Sequence, residues 1–319
     1  MTAGKSSSRE APRIVVLGGI NTDYVVQTKS LPEPGQTVQG SDLFVGPGGK
    51  GANQAVAAAR LGAHVSIIGQ VGDEPRGWEL VRNLRAERIE TRFVSLDTKH
   101  PTGAAIIAVD ESGEKQISAA LGANLTLKRS YIRKAERLIA RADVLLMQFE
   151  SPVECVLEAT RLANKHSVKV VLDPAPPTKF PAELFKLIFA IRPNSDEAEQ
   201  LTGVKVKDRA TARRAAQALL KKGVQIAAIQ AGESGDLVVS RDQEILVPRV
   251  RVKTVDATGA GDAFAAALAV AIAEQMSLER AAHFANITAA LSTTKFGAQA
   301  GMPSRREVER FLRERGNSA

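Results

Sequence analysis

The stretch Val255-Asp256-Ala257-Thr258-Gly259-Ala260-Gly261-Asp262-Ala263-Phe264 sets two glycines and a carboxylate at the start of a long run of small residues. A helix beginning there leaves N–H groups without intrahelical acceptors, and Gly259, Ala260 and Gly261 let them approach an anion closely. Negative charge developing on a transferring phosphoryl group would be stabilised at such a place. Asp262 is suited to accept a hydroxyl proton once a substrate comes within hydrogen-bond reach. Asp is also a common helix cap, but the neighbouring glycines favour the chemical role.

Gly46-Pro47-Gly48-Gly49-Lys50-Gly51-Ala52-Asn53 reads as a glycine-rich turn entering an Ala-rich helix that closes at Gly62. Gly46, Gly48 and Gly51 satisfy the dinucleotide fingerprint, and Asp73 follows the next predicted strand where a ribose-binding acid would sit. Against that reading, Pro47 stiffens the turn and Leu43-Phe44-Val45 is short for a central strand. The G-x-x-x-x-G-K-[ST] phosphate loop is absent, because Gly49-Lys50 is followed by Gly51. Gly18-Gly19-Ile20-Asn21-Thr22-Asp23 places an amide and a carboxylate just beyond the first predicted strand, at the edge where open α/β sheets bind ligands. Both suit sugar hydroxyls, although the hexapeptide taken alone reads as a capped turn.

These residues need a scaffold. Short β-branched runs at Arg13–Leu17, Val65–Gly69, Val144–Phe149, Val168–Leu172, Ile188–Arg192 and Gln225–Gln230 predict buried strands. Helices are predicted between and after them at Gly51–Leu61, Arg76–Glu87, Leu127–Arg141, Pro152–His166, Asp208–Lys222, Ala260–Glu274, Leu278–Thr294 and Arg305–Arg315. The alternation predicts an α/β fold, with a mostly parallel central sheet flanked by helices. Tyr24–Val45 and Thr102–Leu121 break the rhythm. In the second, Ala104–Val109 and Gln116–Ala120 flank the turn Glu111-Ser112-Gly113-Glu114, a hairpin signal. The two segments are expected to pair as a small β-sheet lid inserted in a domain spanning 13–319; ordinary surface loops are the alternative.

The 319 residues, 44% hydrophobic and 24% charged, suit a globular protein with a large core. Residues 1–12 are polar and read as a flexible tail. Cys155 is the single cysteine, so no intrachain disulfide forms, and no apolar run is long enough to span a membrane; a cytoplasmic location is expected. The net charge of +8 favours anionic ligands. The basic residues of Arg129–Arg141, Arg209–Lys222 and Arg305–Arg315 are mixed with apolar ones at helical spacing, and aromatics make up only 4%. No nucleic-acid partner is therefore expected.

The run Gly48-Gly49-Lys50-Gly51-Ala52-Asn53-Gln54-Ala55-Val56-Ala57-Ala58-Ala59-Arg60-Leu61-Gly62-Ala63 and Asp256-Ala257-Thr258-Gly259-Ala260-Gly261-Asp262 resemble the two signatures of the ribokinase family of sugar and nucleoside kinases. Leu145–Pro152, Asp173–Pro176, Arg192–Glu197 and Lys295–Gln299 resemble further family segments in the same order. The resemblance covers nearly the whole chain after Pro12. It implies phosphorylation of D-ribose at its 5-hydroxyl by ATP, or of a related sugar or nucleoside. A dinucleotide-dependent oxidoreductase and a non-catalytic sugar-binding regulator are the readings from other classes.

Carried over by position, the resemblance puts Asn21, Thr22, Asp23, Gly49, Lys50, Gly51, Ala52, Asn53 and Glu150 around the sugar, with Asp262 as the base. It implies Asn194 and Glu197 near the phosphates and Mg2+, and Gln230, Ala231, Gly232, Glu233, Ser234 and Gly235 along ATP beside Gly261 and Asp262. Asn286 falls where the family contacts adenine. Gln230 departs from the family's usual Thr, which leaves the backbone but not that side-chain contact. An activating K+ is implied at Asp256, Thr258, Ser292, Lys295, Gly297 and Gly301. A homodimer whose lids meet is implied as well.

Overall fold

Buried strands covered on both faces must be apolar on both sides, and the β-branched runs form the centre of a nine-stranded sheet. The computed structural model describes residues 10–111 and 114–316. In chain order β1 (Arg13–Leu17) leads into β2 (Asn21–Thr28), β3 (Gly40–Gly48), α1 (Lys50–Arg60), β4 (His64–Gly72), α2 (Pro75–Ala86) and β5 (Glu90–Asp97). There follow β6 (Gly103–Val109), β7 (Lys115–Ala120), α3 (Arg129–Lys134), α4 (Glu136–Ile139), β8 (Val144–Met147), α5 (Val153–Lys165), β9 (Lys169–Leu172) and β10 (Ala190–Ile191). The chain continues through α6 (Ser195–Thr202), α7 (Arg209–Lys221), β11 (Ile226–Gln230), β12 (Asp236–Val239) and β13 (Glu244–Val247). It ends with α8 (Ala260–Ala273), α9 (Leu278–Ser292), α10 (Ala298–Gly301) and α11 (Arg305–Gly316).

The large sheet runs β13-β12-β11-β10-β9-β8-β1-β4-β5. Seven strands from β11 to β5 are parallel, and β12 and β13 turn back antiparallel at one edge. Alternate residues feed two cores. Ile14, Val16, Val144 and Leu146 face α1, α8 and α9, while Val15, Leu17, Leu145 and Met147 face α5 and α7. Helix α8 is buried almost throughout its length, and its alanines let it lie close to the sheet between α1 and α9. Strand order reverses between β1 and β8, so the crevice beyond their carboxyl ends is the switch point where such sheets bind ligands.

Tyr24–Val45 and Thr102–Leu121 do contribute to a second sheet, ordered β3-β2-β6-β7, around a small core of Val25, Ala105 and Ile107. It begins earlier than expected. Asn21–Asp23 are the start of β2, where a capped turn was the simpler reading, and Gly46–Gly48 are strand residues paired with Asp23, Thr22 and Asn21. This removes the dinucleotide reading: the strand before α1 belongs to the small antiparallel pair, outside the parallel sheet. Asp73 has another task, accepting a hydrogen bond from the Trp78 indole at 2.9 Å.

Other differences have local causes. Strands β5 and β13 form the sheet's edges, where polar residues interrupt the apolar pattern. The expected helix Leu127–Arg141 is broken at Ala135, which keeps Ile132, Ala135 and Ile139 all in the core. Residues 1–9 of the expected tail, and Ser112 and Gly113 of the hairpin turn, lie outside the described residues. No helix among the described residues is long and apolar enough to cross a membrane.

Candidate active site

Gly259 caps α8 in the left-handed region, φ 82°, where glycine carries no steric penalty. An added Cβ would sit 3.1 Å from Met302 and 3.2 Å from Ala298. The cap directs the first-turn N–H groups of Gly261 and Asp262, which have no intrahelical acceptor, into the crevice. The Ala260 N–H reaches the Ala257 carbonyl at 3.3 Å. The Asp262 carboxylate is buried beside these groups.

Helix α1 supplies the partners of Asp262. Gly49 turns the chain from β3 into α1 with φ 89°, and Gly51 presses on the backbone of Gly18, where a Cβ would come within 2.5 Å. The Ala52 N–H bonds the Gly19 carbonyl. So held, Asn53 Nδ2 donates to Asp262 Oδ2 at 3.0 Å, and Gln54 Nε2 donates to Asp262 Oδ1 at 3.2 Å and Asp173 Oδ2 at 3.0 Å. Lys50 Nζ stands 3.5 Å from Asp173 and 3.7 Å from Asp262. Burial disfavours the Lys50 charge, but Asp173, Asp262, Glu150 and Glu197 outweigh it and hold the ammonium protonated.

The neighbouring carboxylates are placed from strand ends. Glu150 follows β8, and its Oε2 accepts the Lys50 N–H at 2.8 Å and Asn21 Nδ2 at 3.4 Å. Asn21 is fixed in turn by Asn124, whose Nδ2 donates to Asn21 Oδ1 at 2.8 Å. Burial pushes Glu150 up to about 7 against the pull of Lys50. Burial also pushes Asp23 up to about 7, with Asp262 and Asp256 adding and Lys115 opposing. Burial raises Asp173 as well, against Lys50.

Asn21, Lys50, Asn53, Glu150 and Asp262 are thus linked into one polar cluster, and Asp23 joins it only through the field of its neighbouring carboxylates. Gly49, Gly51 and Ala52 serve it through backbone geometry. Thr22, expected beside the sugar, alternates to the other face of β2, and its buried hydroxyl has no hydrogen-bond partner.

On the other side of α8, Asn194 and Glu197 form a reciprocal cap on α6, each side chain accepting the other's N–H at 2.8 Å. Gln230 ends β11, and the loop 231–235 is closed by the Ala231 N–H on the Gly235 carbonyl. Glu233 points outward to Arg249 at 3.4 Å. Asn286 Nδ2 donates to the half-buried Asp236, and Asn286 Oδ1 is without a partner.

The residues expected around a monovalent ion share one corner. Asp256 spends its oxygens on the N–H groups of Thr258 at 2.8 Å and Gly297 at 2.9 Å. The Lys295 side chain turns away to Glu307, and the Ser292 hydroxyl bonds Ala289. What converges there is backbone: a Cβ on Gly301 would meet the Ser292 carbonyl at 2.2 Å and that of Lys295 at 3.6 Å.

Sequence reasoning gave no role to Gln54, Asn124, Gln148, Asp173, Arg192 or Gln299. Gln148 Nε2 donates to Gln54 Oε1 at 3.4 Å and Gln299 Nε2 to Asn53 Oδ1 at 3.2 Å, so both orient the amides beside Asp262. A usable signal was position, since Gln148, Asp173 and Arg192 each follow directly on a parallel strand.

The model of the pfkB family carbohydrate kinase matches residues 11–305. A ribokinase of Haemophilus influenzae is 40% identical over 299 residues, 94% of this chain and 98% of that protein. A deoxyribokinase of Salmonella typhi is 35% identical over 304 residues, covering 94% and 98%. The structure of Arabidopsis thaliana ribokinase complexed with ribose and ATP superposes with a TM-score of 0.87 at 30% identity, covering 95% of this chain and 99% of that one. With the sheet, the helix-start glycines and the Asp262 cluster all in place, the chain belongs to the pfkB family of carbohydrate kinases.

Proposed function

We propose that this chain transfers the γ-phosphoryl group of ATP to the 5-hydroxyl of D-ribose. The single observation that carries this reading is Asp262, buried at the mouth of α8 beside unpaired N–H groups and wired to Lys50, Asn53 and Gln54. Asp23, Glu150, Asn21 and Lys50 offer acceptors and donors to the sugar's vicinal hydroxyls. Asp262 takes the 5-hydroxyl proton as that oxygen bonds to the γ-phosphorus, and the bond from phosphorus to the ADP oxygen breaks. The proton remains on Asp262 until product leaves. The N–H groups of Gly261 and Asp262 face the charge that develops.

Asn194 and Glu197 suit a Mg2+ held through water and phosphate, since Glu197 is an oxygen donor on the crevice side of α6. Among the described residues no cluster of three or more His, Cys, Asp or Glu side chains is arranged to hold a metal by itself. When bound, the ion supplies neutralisation of phosphate charge. The Ser292 and Lys295 carbonyls beside Gly301 fit a K+ that would order the turn from Asp256 to Gly261; the Asp256 carboxylate braces that turn. Asn286 serves adenine.

The small sheet acts as a lid over the sugar. Its outer face exposes Leu43 and Ile106, 62% and 63% accessible, and a second copy of the chain covers it. The enzyme works in the cytoplasm, where ATP is supplied.

ADP release measured with a panel of D-ribose, 2-deoxyribose, other pentoses and nucleosides tests the reading. Ribose is expected to give the highest kcat/KM; a higher value for 2-deoxyribose would reassign the substrate, and release with none of them would remove the kinase reading.

A further inference from the structure

Arg192 follows β10 and enters the crevice beside α8. Its Nη1 is the nearest atom to the place a Cβ on Gly261 would occupy, 3.0 Å away. The guanidinium lies over the ring of Phe264, 5.1 Å from its centroid, which holds the plane against the first turns of α8. Nε is shielded from solvent and has no hydrogen-bond partner. Asp173 and Asp236 feel its charge, yet neither comes within salt-bridge distance.

Arg192 is half-buried, but a shielded Nε left unbonded is costly unless a ligand completes it. Here it adjoins the positive end of α8, whose free N–H groups at Gly261 and Asp262 also lack an acceptor. Two positive elements thus adjoin at Gly261, and an anion with several oxygens would satisfy both. The glycine at 261 is what leaves room for Nη1 to lie so close.

We infer that Arg192 is a catalytic residue that grips non-bridging oxygens of the transferring phosphoryl group. The inference rests on the kinase reading above. A fork of parallel N–H donors fits such oxygens better than a point charge does, and its bonds strengthen as charge builds during transfer. The bonds exchanged remain those of the transfer itself: the sugar oxygen gains phosphorus, ADP departs, and Arg192 keeps its protons.

Arg192→Lys keeps the charge and loses the fork; Arg192→Ala leaves a space for free guanidinium. In the full chain both variants are expected to lose about 10²-fold in kcat, with the ribose KM and the calorimetric Kd for ADP within about threefold of the parent. Added guanidinium chloride is expected to restore part of the turnover of Arg192→Ala but none to Arg192→Lys. A purely structural stacking role on Phe264 would give neither the kcat–KM split nor the selective rescue. If Arg192→Ala is misfolded by circular dichroism, Arg192→Lys decides alone. A kcat within threefold of a working parent, or ADP affinity falling as much as kcat, overturns the inference and leaves the kinase reading standing. A parent that phosphorylates no sugar removes both.

Discussion

On the side of α8 facing the small sheet, Asn21, Lys50, Asn53, Gln54 and Glu150 already bond one another or Asp262. On the side facing β11 and β12, Arg192 Nε and Asn286 Oδ1 are unpartnered, and the loop 231–235 offers mainly backbone. Thr22 Oγ1 and Gln148 Oε1 are unpartnered on the first side too, but the residues proposed to hold sugar there are already cross-linked by side-chain bonds, whereas the second side leaves more to backbone. Preassembly fixes geometry, which suits discrimination among sugars that differ by one hydroxyl. Its cost is a crowd of buried carboxylates around a single ammonium. Backbone recognition tolerates side-chain change, which would let Gln230 stand where the family usually has Thr.

Asp262 belongs to both sides, so its loss is expected to have the largest effect. Asp262→Asn should lower kcat by roughly 10²- to 10⁴-fold, while calorimetry still detects ribose and ATP. Near-normal turnover would mean that another group takes the proton. Next comes Lys50→Met, which leaves Asp173 and Glu150 without their counter-charge. Lys50 is only half-buried, so removing it from these buried carboxylates costs on the order of 1–3 kcal/mol, and a lower melting temperature should accompany weaker ribose binding. Glu150→Gln keeps the shape and removes a charged acceptor, with an expected loss of about 10- to 100-fold in ribose affinity and little change for ATP. Equal losses for both ligands would erase the distinction between the two sides.

Most of the large sheet was legible because its central strands are buried on both faces and read as continuous apolar runs, Val144–Met147 being the plainest. The edge strand Glu90–Asp97 was not, because half of it meets solvent and its pattern is diluted. At the site, Asp262 and its glycines announce themselves by proximity in sequence. Gln54 and Asp173 do not: one looks like any residue of an Ala-rich helix, the other like any carboxylate after a strand. Their meeting at 3.0 Å depends on α1 closing against β1, over a backbone contact that only Gly18 and Gly51 allow. The face that Thr22 takes was hidden for a related reason, since a residue's face on β2 is set by pairing with β3 and cannot be read before that pairing is known.

The smallest effect expected is a pH dependence confined to the sugar side. Asp23 and Glu150 are each raised to about 7, from 3.8 and 4.5, chiefly by burial. As ionised acceptors they bind sugar hydroxyls better than as neutral acids, so ribose affinity measured by calorimetry without nucleotide should rise several-fold from pH 6 to pH 8. Stability of the free protein should move the other way. A carboxyl whose folded pKa exceeds its unfolded one stabilises fully below the unfolded value, and that contribution is lost as pH rises toward the folded value. From 3.8 for Asp23 and 4.5 for Glu150 up to about 7 these two groups therefore withdraw stability, and above 7 the loss levels off. Asp23→Asn should remove part of both slopes and be the more stable protein at pH 8, by on the order of 1–3 kcal/mol. Parallel slopes in parent and variant would mean that Asp23 is ionised throughout, and the cost assigned to crowded carboxylates on the sugar side would fall with it.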